Sequence, residues 1–198
     1  MLNRNDYDEI NKICKVYDIE DYSIDNNGLV NVNGNVILSL EEETEIPISF
    51  GKVTGNFNCS DGKLKTLKNS PLHVGGDFDC TFNNISSLVG GPEYVGGSFD
   101  ASGNSLKNIK YLPKAIKGDL WLEFNGIKSL QLDFDINIQN VYIDRDNLPL
   151  KLRNEKVDIS VFLKYQNYYQ IWNNGKTGAY LNEANFDIFI TDILDGLR

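Results

Sequence analysis

The chain has 198 residues and 41% hydrophobic content, which is enough for a folded core and too much for a disordered protein. Its formal charge of −9 and single histidine argue against direct binding to nucleic acid or an anionic membrane, because both favour clustered lysine and arginine. No apolar run approaches the roughly 18 residues of a membrane span, and the start lacks a signal-like pattern, so the sequence predicts a cytoplasmic protein.

The first predicted element is an amphipathic helix over residues 5–17. Its apolar side chains recur at helical spacing: Tyr7, Ile10, Ile13, Cys14 and Tyr17. Valines alternate with polar residues between positions 30 and 36, which indicates a short hairpin. Residues 1–33 are therefore predicted to cap the chain that follows.

A repeat of 21 residues begins near residue 34. An apolar residue recurs every 21 positions, and in all units but the last a glycine stands two residues before it. These apolar residues are Val36, Phe57, Phe78, Phe99, Leu120 and Val141. A column two positions later keeps the same phase: Leu38, Cys59, Cys80, Ala101, Leu122 and Ile143. One unit of this size cannot bury its own apolar face, so neighbouring units must stack. The sequence predicts a solenoid of about six units over residues 34–153.

Each unit has the composition of a short strand followed by an irregular return segment. Phe78-Asp79-Cys80 alternates apolar and polar residues, as a strand does when one face is buried. Asn83 and its equivalents are expected to satisfy backbone groups where the chain leaves the strand. Paired glycines and Pro92 keep the return segment from forming a regular helix.

The pattern Phe78-x-Cys80-x-x-Asn83-x-Ile85-x-x-Leu88 resembles the leucine-rich repeat. It is similar to the glycine- and cysteine-containing 21-residue variants found in proteins of bacteria and phages. The resemblance implies an α/β solenoid with a parallel β-sheet face. The flanking segments add an N-terminal helical cap and two C-terminal helices to this predicted fold.

Residues 154–198 are predicted to form the C-terminal helical cap. Asp158 can cap a first helix, which Asn173-Asn174-Gly175 would end. Its apolar residues are Val161, Phe162, Tyr165, Tyr168, Tyr169 and Trp172. A second helix has the stripe Phe186, Phe189, Ile190, Ile193 and Leu194. The high aromatic content leaves open a separate docking surface or a dimer contact.

The sequence contains no recognisable catalytic constellation. His73 is the only histidine, which excludes a His-based zinc site, and it is expected on an exposed turn. Cys59 and Cys80 occupy an inward column and are expected to pack as small apolar residues. The paired glycines lack the spacing and the lysine of a phosphate-binding loop. We therefore predict no enzymatic activity and no cofactor.

Strand alternation predicts which residues face outward on the sheet. Three outward columns follow from the repeat: Asn56, Asp77, Ser98, Asp119, Asn140; then Asn58, Asp79, Asp100, Trp121, Tyr142; then Ser60, Thr81, Ser102, Glu123, Asp144. Acidic residues and two neighbouring aromatics therefore share one face. Phe82 and Phe124 are expected either to extend this aromatic patch or to tuck under its rim.

A basic protein surface is the partner that such a face favours, because aromatic residues dominate binding energy and charge steers encounter. The predicted contact residues are Asp79, Asp100, Asp119, Trp121, Glu123, Tyr142 and Asp144. If the phage resemblance holds, the protein would inhibit a host protein in the host cytoplasm. The alternative is a structural protein that self-associates through its C-terminal helices. Calcium binding is disfavoured, because a flat sheet does not enclose an ion.

Overall fold

The computed structural model describes residues 4–153, 157–175 and 178–196. The predicted N-terminal helix is present as α1, Arg4–Val16. It buries Cys14 completely, and Ile10 and Ile13 pack against the same core. The predicted start of the C-terminal segment, at residue 154, lies outside the described residues.

A hairpin follows α1, but it does not contain Val36 as the sequence predicted. Strand β1, Tyr22–Ile24, pairs antiparallel with β2, Val30–Val32. The Asp25 carboxylate closes the turn by accepting bonds from the backbone N–H groups of Asn27 and Leu29, at 2.8 and 2.9 Å. Val36 instead begins the first strand of a separate sheet.

The repeats form a β-solenoid whose turns stack in parallel, as predicted. Its strands, in chain order, are β3 Val36–Ile37, β4 Phe50–Val53, β5 Phe57–Asn58, β6 His73–Val74, β7 Phe78–Asp79, β8 Tyr94–Val95, β9 Phe99–Asp100, β10 Ala115–Ile116, β11 Leu120–Trp121 and β12 Val141–Tyr142. Strands β3 to β11 alternate between two sheets, and β12 lies beside β11 in the same sheet. Sheet A has the order β1-β2-β4-β6-β8-β10, and sheet B has the order β3-β5-β7-β9-β11-β12.

Sheet A corrects the prediction of one sheet with an irregular return segment. The return segment contains a strand that ends one or two residues before the next glycine, with Val53, Val74 and Val95 paired in register and buried. β-Branched residues suit a half-buried strand, and two residues are enough when the next turn supplies their hydrogen bonds. The core therefore lies between two parallel sheets.

Residues 21 positions apart lie directly opposite one another in sheet B. The rings of Phe57 and Phe78 stack at 5.5 Å between centroids, and those of Phe78 and Phe99 at 5.3 Å. All three rings are fully buried, as are Cys59 and Cys80 in the next inward column. These stacked columns form the continuous apolar core of the solenoid.

Asn83 satisfies the backbone where the chain leaves the strand, as predicted. Its Nδ2 donates to the carbonyl oxygens of Cys59, Cys80 and Thr81 at 2.9 to 3.2 Å, and its Oδ1 accepts from the N–H of Leu64 at 2.9 Å. Asn104 and Asn125 repeat the arrangement one and two turns later. One side chain thus links three backbone segments in each turn.

The first of the two predicted C-terminal helices is shorter than predicted, and a hairpin separates it from the second. Its elements are a 3₁₀ helix Leu150–Arg153, α2 Ile159–Tyr165, β13 Trp172–Gly175, β14 Gly178–Leu181 and α3 Glu183–Leu194. Asp158 caps α2 and α3 follows the predicted stripe. Trp172, predicted in the first helix, instead pairs with Leu181 in a hairpin. A positive φ of 50° at Gln170 is incompatible with a continuing helix. Over the residues described, no helix has the length and apolar character to cross a membrane.

Candidate functional site

The first outward column of sheet B is a hydrogen-bonded ladder between turns. The Asn56 Oδ1 accepts from the N–H of Asp77 at 2.9 Å, and the Asp77 Oδ1 accepts from Ser98 at 2.7 Å. Asp119, a predicted contact residue, accepts through Oδ1 from the N–H and the Nδ2 of Asn140 at 3.1 and 2.9 Å. Its carboxylate therefore serves the fold and has fewer lone pairs free for a partner.

The same ladder explains the glycine that precedes Asn56, Asp77, Ser98 and Asp119. A Cβ on Gly76 would lie 2.0 Å from the Asn56 Oδ1, which crosses the turn at this point to reach its donor. Glycine is required here because the side-chain acceptor of the previous turn occupies the space that any larger residue would need.

The second outward column contains two half-buried carboxylates side by side. The Asp79 Oδ1 accepts from the N–H and hydroxyl of Thr81 at 2.9 and 2.8 Å, and its Oδ2 accepts from the Nδ2 of Asn58 at 3.1 Å. The Asp100 Oδ1 accepts from the N–H of Ser102 at 2.9 Å. Asp79 and Asp100 are paired in register on adjacent strands, so neighbouring carboxylates project from the same face.

Trp121 and Tyr142 continue this column on the next two strands. Their rings stack with 3.7 Å between centroids and an interplanar angle of 12°. Asp100 pairs in register with Trp121 on the opposite side from Tyr142, so a tall aromatic stack stands beside short carboxylates. We call this step, formed by Asp79, Asp100, Trp121 and Tyr142, the acidic notch.

The electrostatics of the acidic notch favour a cation. Burial raises the pKa of Asp100 above its ordinary value, the bond from Ser102 opposes this rise, and the nearby charge of Asp79 adds to it. In the part of the chain that the structure describes, no lysine or arginine forms an ion pair with either carboxylate. The attraction of a positive group placed here would offset the cost of burying the Asp100 charge and its repulsion from Asp79.

The third outward column is not a continuous outward surface, contrary to the prediction. Thr81 and Ser102 are only 9% and 8% exposed. Each is followed by a residue of positive φ, Phe82 or Gly103, which turns the chain away from the sheet directly afterwards. Glu123 and Asp144, the two residues of this column that were predicted to contact a partner, are half-buried. The Asp144 Oδ2 accepts from the N–H of Phe124 at 2.6 Å, which holds it in the turn.

The exposed Phe82 and Phe124 do not tuck under the rim of the sheet. They are 58% and 69% exposed, and both have the left-handed backbone that phenylalanine rarely adopts, with φ of 51° and 56°. They extend the apolar surface beyond the strand ends of sheet B.

A groove at the N-terminal end of sheet B was not expected from the sequence. It has a volume of about 600 Å³ and lies between the end of α1 and β3, where it is lined by Val16, Tyr17, Asp18, Ile19, Asn35, Val36, Ile37, Ser39 and Glu43. A depression of about 240 Å³ shares Asn35, Val36 and Ile37 and continues to Asp77 and Asp79. One sequence feature could have indicated this groove. Ile37 is an apolar residue in an outward column that is otherwise polar as far as Asp100. We call the larger cavity the edge groove.

His73 lies in a strand of sheet A, which corrects its predicted place on an exposed turn. Its ring is half-buried and stacks on Tyr94 at 4.3 Å and 4°. This pair occupies the outer face of sheet A, away from the acidic notch. Over the described ranges, no three His, Cys, Asp or Glu side chains converge as metal ligands would.

Neither protein-family models, nor curated proteins, nor solved structures provide a match to this chain.

Proposed function

We propose that the protein is a non-enzymatic interaction module that binds a basic segment of another protein at the acidic notch. The observation that supports this most strongly is the stack of Trp121 on Tyr142 beside the half-buried carboxylates of Asp100 and Asp79. A rigid aromatic wall next to unpaired charge is the arrangement expected of a binding hot spot.

The geometry favours a guanidinium or ammonium group lying over Asp100. Tyr142 covers one face of the Trp121 indole, and the shorter Asp100 leaves the other face accessible. A cation above Asp100 would contact that free face and the carboxylate together, combining a cation–π interaction with a charge-assisted hydrogen bond. Asp79 would add a second negative charge. Of the predicted contact residues, Asp119 and Asp144 contribute mainly through their charge.

We also propose that the chain is a leucine-rich-repeat-like protein whose helices cap the two ends of the core. The repeat pattern and the burial of Cys14, Phe162, Phe186 and Phe189 in one continuous core support this proposal. If the phage resemblance holds, the bound partner is a host protein in the host cytoplasm, and occupying its basic surface inhibits it.

The test is capture of partners from a lysate of the native host, identified by mass spectrometry and then titrated in purified form. The double variant Trp121→Ala, Tyr142→Ala and the single variant Asp100→Asn should each weaken binding by about tenfold or more. The matched control is His73→Ala, Tyr94→Ala, which removes a similar ring stack from sheet A. Equal binding by the wild type and the Trp121, Tyr142 variant would refute the proposal.

Self-association remains the second candidate, because the C-terminal region exposes several large side chains. Tyr168, Tyr180, Ile188 and Leu194 are between 55% and 76% exposed. If these residues assemble copies of the protein, light scattering will show a mass that rises with concentration, and Ile188→Lys will abolish the rise. A constant monomer mass would exclude this candidate.

A further inference from the structure

The two sheets of the solenoid end differently on their N-terminal side. Sheet A ends in β1, which runs antiparallel to its neighbour as the first strand of a hairpin. Sheet B ends in β3, and no further strand lies beside it in the described ranges. An edge strand presents unpaired backbone groups to which another chain can add.

Backbone groups of Ile37 point away from the sheet and towards the edge groove. The N–H groups of Val36 and Leu38 donate to the carbonyl oxygens of Asn56 and Asn58 on the next turn, at 2.8 and 2.9 Å. Successive residues of a strand direct their N–H and C=O groups to opposite sides. Ile37 therefore offers one donor and one acceptor on the side that has no strand.

The edge groove combines exposed apolar side chains with charged groups that are acidic. Val16 and Ile37 are 67% and 70% exposed. Asp18 and Glu43 are the charged residues in the lining. The Tyr17 hydroxyl donates to the Glu43 Oε1 at 2.8 Å, and burial together with this bond raises the pKa of Tyr17 to about 12. Tyr17 therefore stays a donor at neutral pH and holds the carboxylate at the groove.

We propose that the edge groove binds an extended segment of a partner protein, which adds a strand to sheet B beside β3. The backbone of the segment would pair with Ile37. Its side chains would alternate between apolar residues, which contact Val16 and Ile37, and basic residues, which face Asp18 and Glu43. This is strand addition, in which main-chain bonds provide affinity and alternate side chains provide specificity.

A second copy of the chain is a poorer occupant than a basic partner. Symmetric pairing of β3 with β3 would bring the Asp18 and Glu43 carboxylates of both copies together, and like charges at a contact are unfavourable. The site is independent of the acidic notch. The depression that leads from Ile37 to Asp79 nevertheless gives one bound chain a path towards it.

The proposal can be tested with an acetylated and amidated pentapeptide of alternating lysine and valine, followed by two-dimensional amide NMR. We expect saturable shifts confined to residues 16–19 and 35–39, with the Ile37 amide moving as a new hydrogen bond forms. A peptide of the same sequence with N-methylated valines should bind at least about tenfold more weakly, because it has lost backbone donors. A glutamate–valine peptide should not bind.

Two substitutions of Ile37 separate what its backbone contributes to peptide binding from what its side chain contributes. Ile37→Pro removes the outward N–H but leaves those of Val36 and Leu38, and proline is tolerated on edge strands. Ile37→Pro should weaken binding of the lysine–valine peptide by about tenfold or more. The matched control Ile37→Thr keeps the N–H and the β-branched shape, and it should bind within about threefold of the wild type. If Ile37→Pro unfolds, the N-methylated peptide decides the question on the unaltered chain.

Three results would overturn the proposal. The first is no saturable shift of the Ile37 amide at millimolar peptide, and the second is equal binding of the N-methylated peptide. The third is a shift at residues 35–39 that depends on protein concentration without peptide, which would assign the groove to a second copy. If the acidic notch binds no partner, these readouts stay unchanged, because residues 16–19 and 35–39 do not belong to the notch.

Discussion

The ring of Phe82 lies against the backbone of Gly103, which occupies the same position one turn later. A Cβ on Gly103 would approach the Phe82 Cδ1 to 2.6 Å. The two residues also share a left-handed backbone, with φ of 51° and 68°. Gly103→Ala should therefore lower the free energy of unfolding by about 1–3 kcal/mol, from backbone strain and the ring contact together. Urea unfolding will measure this loss.

Removing the Phe82 ring separates the cost of backbone strain at residue 103 from the cost of the ring contact. In a Phe82→Gly background, Gly103→Ala should cost only the backbone term, about 1 kcal/mol. A double-mutant cycle gives the coupling directly. Strictly additive effects would show that the Phe82 ring does not rest on Gly103 in solution.

Asn83 should be among the most sensitive polar residues in the chain. Its side chain bonds to four backbone groups, including the Leu64 N–H and the Cys59 carbonyl. Asn83→Ala leaves these groups without partners inside the protein, so we expect a loss of about 2–4 kcal/mol in urea unfolding. The adjacent and exposed Asn84→Ala is the matched control and should change stability by less than about 0.5 kcal/mol. Similar losses for both would contradict the bonding described.

Asp100 should make stability fall as pH rises. Burial, partly offset by the bond from Ser102 and reinforced by Asp79, raises its pKa in the folded state above 3.8. The folded protein therefore binds this proton more tightly than the unfolded chain does. The resulting stabilisation is complete below the unfolded value and is lost as pH rises through the folded value.

Asp100→Asn removes this pH-dependent contribution while keeping a side-chain oxygen. The unfolding free energy of the wild type minus that of the variant should therefore decrease from pH 3.8 towards neutral pH. Asp79→Asn should lower the folded-state pKa of Asp100, because it removes the neighbouring negative charge. The pH range over which this stability difference falls should then become narrower. Urea titrations at a series of pH values will test both, and a difference that grows with pH would contradict the burial of Asp100.

The cysteines should be unreactive in the folded protein. Cys14, Cys59 and Cys80 are all 0% exposed, and burial raises the pKa of each thiol. Only the thiolate attacks disulfide reagents, so Ellman's reagent should label the native chain at the rate of unfolding and label all three cysteines in urea. Rapid labelling under native conditions would show that one of these sites opens.

The spacing of the repeat predicted most of the solenoid. The 21-residue period placed Phe57, Phe78 and Phe99 in one stack, and alternation placed Trp121 beside Tyr142. Both follow from distance along the chain, because stacked turns convert sequence period into spatial contact. Sheet A escaped prediction because strands such as His73–Val74 stand between a proline and paired glycines, which favour an irregular segment.

Two predictions failed because the chain turns locally at a place that the hydrophobic pattern does not indicate. Trp172 has helical spacing from Tyr165, but its Nε1 donates to the Gln166 Oε1 at 2.7 Å and its backbone pairs with Leu181. Likewise the burial of Ser102 goes with the left-handed turn at the next residue. The edge groove depends on where α1 ends relative to β3, which no local pattern specifies.

The stack of Phe57, Phe78 and Phe99 also bears on how such a chain can change in length. Each ring stacks on the equivalent ring of the neighbouring turn, so removing residues 78–98 would join Asp77 to Phe99 in unchanged phase, with Phe57 stacked on Phe99. The shortened protein would lose one strand from each sheet, about 4.8 Å of length. Duplication or loss of whole 21-residue segments can therefore change the length of the outward face of sheet B while the packing of the retained turns is preserved.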